Sequence, residues 1–86
     1  MISELRREID KIDAEIVKLL AKRMELSQQI GKEKQQTGEE IHVRTREIEV
    51  LDLVKLLGDQ LGLQESFLTD LYTVILKESR QIQESA

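Results

Sequence analysis

The sequence predicts an all-α protein, and three observations lead there. Proline is absent from all 86 residues, aromatic side chains amount to one Tyr and one Phe, and Glu, Lys, Arg, Gln, Leu and Ile dominate the rest. These residues enter helices with little loss of side-chain freedom. The length suits one domain spanning residues 1–86. A chain this small withdraws only somewhat more than about 60% of its unfolded surface from water, so its stability alone is expected to be modest.

The helices follow in order. Ile2, Leu5, Ile9, Ile12, Ile16, Leu19, Leu26 and Ile30 recur at alternating steps of three and four, which is a heptad seam. Arg23 occupies one slot of it. This predicts a first helix from about Ser3 to Lys34, roughly 48 Å long at 1.5 Å per residue, whereas a compact chain of this size has a radius of gyration of only about 12 Å. Such a helix projects beyond its own globule and leaves seam exposed, so a homodimer is expected. Gly31 offers an earlier stop, although one glycine costs a helix only about 1 kcal/mol.

Gln35 to Val43 loses the periodicity and contains Gly38, so a loop is expected there. A second helix fits from Arg44 or Thr45, with Ile48, Leu51, Val54 and Leu57 on one side and Gly58 and Gly62 bracketing its ends. The third begins near Gln64 or Ser66 and carries Leu68, Leu71, Ile75, Ser79 and Ile82 on one face. Three helices result: long, short and medium.

Composition excludes several functions. Thirteen Lys and Arg against 17 Asp and Glu give a formal charge of −4, with no general attraction to nucleic acid or an anionic membrane. Any anion site must be local. Without cysteine there is neither a disulfide framework nor a thiolate. The charged N-terminus MISELRREID is unlike a signal peptide, and no apolar run approaches a membrane span, so a soluble cytoplasmic protein is expected. His42 stands alone without metal-ligand spacing and is expected to be a solvated loop residue. No Gly-rich phosphate loop or nucleophile with a positioned base is present.

Chemistry concentrates on a few cations and polar groups. A guanidinium cannot shed its charge, and taking an ion out of water costs several kcal/mol unless a counterion replaces the hydration. For Arg23 two readings stand side by side: an ion pair with a glutamate across an interface or an outward-reaching side chain, or an anion-binding residue. Lys34 lies about 16 Å further along the first helix, within about 20° of the same face, where the two could bracket a small molecule. Its bland reading is a solvated lysine near a helix C-terminus. Arg6 is about 25 Å from Arg23 along the helix, so only antiparallel pairing of two long helices brings it to the other subunit's Arg23. Arg46 and Glu47 open the second helix, where surface charges are ordinary. Ser79 interrupts the apolar face of the third, with Gln83 one turn on.

Taken together, in order and spacing, Arg6, Arg23, Lys34, Arg46, Glu47, Ser79 and Gln83 resemble the active site of the AroQ-type, all-helical chorismate mutase family. The resemblance runs through L-R-R-E-I-D-K-I-D (Leu5 to Asp13), L-L-A-K-R (Leu19 to Arg23), I-G-K-E-K (Ile30 to Lys34), R-E (Arg46, Glu47) and E-S-x-x-x-Q (Glu78 to Gln83). It implies an intertwined homodimer of three-helix chains in which Arg6 enters the partner's site. It also implies conversion of chorismate to prephenate on the route to phenylalanine and tyrosine, a pericyclic step requiring no metal or cofactor. Arg23 and the partner's Arg6 are thereby assigned to the substrate carboxylates, with Arg46 and Ser79 in support. Lys34 and Gln83 fall to the ether oxygen, and Glu47 to the ring hydroxyl. Association with another shikimate-pathway enzyme is compatible with this reading.

One position departs. The family commonly carries an acid four residues before the glutamate, and here Val43 stands there, with no side-chain acceptor. Two rivals remain on sequence: isochorismate-pyruvate lyase of the same fold, favoured less because Glu47 accompanies the mutase set, and a non-catalytic helical dimerisation or regulatory module. The end of the chain soon after Gln83 leads to the expectation that no second catalytic domain is present.

Overall fold

A computed structural model describes residues 1–86 as three helices, α1 (Ile2–Thr37), α2 (Arg44–Leu61) and α3 (Glu65–Glu84). Their 36, 18 and 20 residues bear out the long, short and medium order. α1 runs three residues past Lys34 because Gln35, Gln36 and Thr37 tolerate helix. Its stop is Gly38, at φ 77°, whose N–H donates to the Lys34 carbonyl at 2.8 Å. Only a residue without Cβ adopts that left-handed cap freely. The expected loop over Gln35 to Val43 therefore shortens to 38–43.

α2 ends at the second of its two bracketing glycines. Gly62, at φ 76°, donates to Asp59, while the Leu63 N–H donates to Gly58 at 2.8 Å, the paired bonds of a Schellman cap. Gly58 is instead a buried residue inside the helix, where an added Cβ would strike Leu68.

α3 packs against both other helices, whereas the backbones of α1 and α2 do not approach each other closely. The buried apolar core is Val54 of α2 with Leu68, Ile75 and Leu76 of α3. The face that α2 turns inward runs through Glu47, Val50, Leu51, Val54 and Gly58, leaving Ile48 and Leu57 exposed. The expected direction of this face is right, with Leu51 and Val54 at its centre, but the face is narrower than periodicity alone implies, because apolar residues surround much of α2 and Ile48 and Leu57 fall at its exposed flanks.

α1 meets α3 only through its C-terminal half, where Ser27 and Gly31 are its buried residues. Every residue from Met1 to Leu19 is exposed. The heptad seam is among them, with Ile9 54% and Ile12 58% exposed. The molecule is accordingly elongated, 55 × 23 × 15 Å, with a radius of gyration of 15.7 Å where a compact chain of this length would have about 12 Å. No helix is long and apolar enough to cross a membrane.

Gly31 sets the depth of the α1–α3 crossing. A Cβ there would lie 2.6 Å from the Gln83 carbonyl oxygen and 2.7 Å from its Cα, and backbone cannot turn aside as a flexible side chain can. Gly31→Ala gains about 1 kcal/mol in helix propensity, but overpacking of this kind costs about 1–3 kcal/mol, and displacement of backbone places it at the upper end. A net loss of roughly 1–2 kcal/mol is expected in urea unfolding, and a variant as stable as the parent would contradict this packing.

Candidate active site

The crossing brings polar side chains of α1 and α3 together. Ser27 lies one turn beyond Arg23, on nearly the same face of α1, and its Oγ meets the Oγ of Ser79 at 2.5 Å, both residues being buried. Two turns further along α1 and one turn further along α3, Lys34 Nζ donates to Gln83 Oε1 at 3.1 Å and to the Ile41 carbonyl at 3.0 Å. The Gln83 amide nitrogen lies 3.5 Å from Ser79 Oγ. These contacts form a polar ladder between the helices. Its upper rung also fastens the 38–43 loop.

Beside the ladder is a cavity of about 450 Å³ lined from all three helices and the loop, a size suited to a small molecule. Arg23, Lys34, Arg46, Glu47, Ser79 and Gln83 all line it. Six of the seven residues expected from the sequence thus converge. Arg6 does not line it and is exposed in the free half of α1.

Their placements differ in detail from expectation. Arg23 is half-buried and makes no ion pair or hydrogen bond within the chain, so no counterion of its own subunit explains it. Lys34 is half-buried and committed to two acceptors, unlike a solvated lysine. Arg46 lies at the rim, its side chain 69% exposed and 3.4 Å from Glu49. Glu47 points inward from the first turn of α2. His42 is partly exposed, as a loop residue should be, but its Nε2 lies 3.4 Å from Glu47 Oε1, so it belongs to the rim of the site. Val43 lines the cavity beside Ile41 and Val50, forming an apolar wall.

Sequence reading missed two residues here. Ser27 carried a signal, a short polar residue one turn from Arg23 and one turn before Gly31. Arg80 carried none, because its partner is 33 residues distant: Arg80 Nη1 donates to Glu47 Oε1 at 2.8 Å and to Oε2 at 2.7 Å. With Arg80, the cavity holds four cationic side chains and one anionic one, Arg23, Lys34, Arg46 and Arg80 against Glu47. Such a lining favours a small molecule bearing more than one negative charge. No cluster of His, Cys, Asp and Glu that could hold a metal ion occurs in the chain.

Comparison with known proteins agrees with this chemistry. The chain is 37% identical over 78 residues to the T-protein of Haemophilus influenzae, which covers 91% of this chain and 21% of that protein. It is 42% identical over 57 residues to the intracellular chorismate mutase of Mycobacterium tuberculosis (66% of this chain, 54% of the relative). Against the chorismate mutase of Methanocaldococcus jannaschii the figure is 27% over 82 residues, covering 95% of this chain and 83% of the relative. The chain thus spans about a fifth of the T-protein's length and most of the archaeal enzyme's. The sequence profile described as chorismate mutase type II matches residues 5–84, and the chain belongs to that family.

Proposed function

We propose that this chain catalyses the rearrangement of chorismate to prephenate, as a homodimer in which Arg6 of each subunit completes the other's cavity. The observation that carries the reading is the convergence of Arg23, Lys34, Arg46, Glu47, Ser79 and Gln83 on one cation-rich cavity in a chain of this family.

The geometry suits the reaction. Chorismate bears two carboxylates, and Arg23, which lacks an acidic partner in its own chain, is available to one of them. Ser79 is buried against Ser27, so its contribution is to shape the floor beneath Arg23 as well as to donate. Arg46 at the rim can swing from Glu49 toward an entering anion. Holding both ends of the substrate selects the conformer with the enolpyruvyl group over the ring, which is where much of the barrier reduction arises. As the C–O bond breaks, negative charge gathers on the ether oxygen. Lys34 and Gln83, already oriented by their mutual bond and by Ile41, are the donors there, and preorganised donors lower such barriers. Every bond changed lies within the substrate, so no protein group gains or loses a covalent bond.

The homodimer reading rests on the exposed seam. Ile2, Leu5, Ile9, Ile12 and Ile16 lie along the part of α1 that touches nothing in its own chain, and such a stripe is stable in water only when covered. An antiparallel partner helix would cover it and carry Arg6 to the cavity, beside Arg23.

Purified protein given chorismate should form prephenate. Release of pyruvate from isochorismate with no prephenate from chorismate would instead identify the lyase. Lys34→Ala should lower turnover by about a hundredfold or more, the scale of losing one transition-state donor, and a drop of only a few fold would remove Lys34 from that role. Gln83→Glu places a carboxyl beside the Lys34 ammonium, which favours the ionised form. Only the protonated form can donate to the ether oxygen, so activity of this variant should rise as pH falls, and a flat profile would separate Gln83 from that oxygen. Finally, Arg6→Ala and Arg23→Leu should each be nearly inactive alone, yet mixing and exchanging them should restore about a quarter of the sites, because one site of each mixed dimer then has both arginines. No recovery despite demonstrated exchange would refute the shared site.

A further inference from the structure

Arg80 lies outside the residue set that the family resemblance supplies, yet it makes the shortest ion pair in the chain, 2.7 Å to Glu47. Both bonds to Glu47 use one nitrogen, Nη1, which sits astride the carboxylate. The carboxylate offers about four lone-pair positions, so acceptor capacity remains on the side facing the cavity. The pair is partly buried, with side chains 29% and 21% exposed, which makes it better ordered than a surface ion pair.

Val43 gives this arrangement its significance. It lines the cavity with methyl groups at the position where the family commonly has an acid, leaving Glu47 as the only carboxylate in the cavity wall. A lone glutamate in the first turn of a helix can adopt many rotamers. Arg80 removes that freedom. The groups around Glu47 are Arg80 from α3, His42 from the loop, Arg46 from α2, and Arg23 and Lys34 from α1, and Arg80 alone holds both oxygens. Arg23 has no acidic partner and is free for a substrate carboxylate, whereas Arg80 would have to abandon two charge-assisted bonds to serve one.

We infer that Arg80 is a positioning residue that fixes Glu47 as the acceptor for the substrate's ring hydroxyl, and so gives this site its preference for a hydroxylated ring. This rests on the mutase reading above. The hydroxyl takes no part in bond breaking and is held alike in ground and transition states, so the contact belongs chiefly to binding.

The test is a double-mutant cycle on kcat/KM, with chorismate and with an analogue whose ring hydroxyl is replaced by hydrogen. Arg80→Met is expected to raise KM about tenfold with kcat little changed, and to shrink the preference for chorismate over the analogue to the level of Glu47→Gln. In the Glu47→Gln background the same change should cost less than about twofold. Arg80→Lys should recover part of the loss, which separates positioning from a general packing role if Arg80→Met folds poorly. Losses that multiply, or that fall equally on the analogue, would overturn the inference and make Arg80 a direct carboxylate ligand. No rescue by lysine, with matching loss of thermal stability in both variants, would make it purely structural. A parent protein without mutase activity removes both readings, whereas an active parent with multiplying losses removes only this one.

Discussion

The close crossing of α1 over α3 at Gly31 is the constraint on which the site depends. With the Gln83 backbone within 3 Å of where a Cβ would stand, the two helices are near enough for short side chains to bridge them. Ser27 can reach Ser79 only at such a separation, and Lys34 meets Gln83 further along the same crossing. The cavity opens where this seam ends and α2 supplies the opposite wall through Glu47 and Val50. A glycine that a propensity scale reads as a weak point in a helix is here a packing device.

α1 has two jobs on two faces. Small and polar residues, Ser27 and Gly31, face α3, while the heptad stripe is exposed from Ile2 to Leu19 and reaches the cavity wall only with Leu26 and Ile30. Arg23 stands where the two faces meet and lines the cavity, which explains why a cation interrupts a stripe of isoleucine and leucine. An exposed apolar stripe of this length, in a chain whose own core comprises only four buried hydrophobic residues, is the observation on which the proposed homodimer rests.

Much of the architecture was legible in the sequence because helical periodicity and glycine caps are local signals. The three helices, the seam and the stop at Gly62 follow from them. The expected loop is too long because Gln35 to Thr37 are neutral toward helix, and the inward face of α2 is narrower than expected because apolar residues surround that helix and leave Ile48 and Leu57 exposed at its flanks. Within the site, Lys34 and Gln83 were identified by resemblance, but their bond to each other and to Ile41 depends on tertiary placement. Arg80 is the clearest case of what local pattern omits. Arginine after serine on an amphipathic helix looks like a solvated charge, and only the packing of α2 on α3 sets it against Glu47.

The two bonds made by Lys34 carry a further consequence. An ammonium has three hydrogens to give, and the Ile41 carbonyl and the Gln83 amide oxygen take two. The third is aimed by the other two, since their directions leave it one tetrahedral corner. A flexible side chain has thereby become a tripod with two feet planted, and the same two attachments tie the fixation of the loop to the orientation of the remaining proton. Loosening the loop would blur the aim of the lysine without altering the lysine itself.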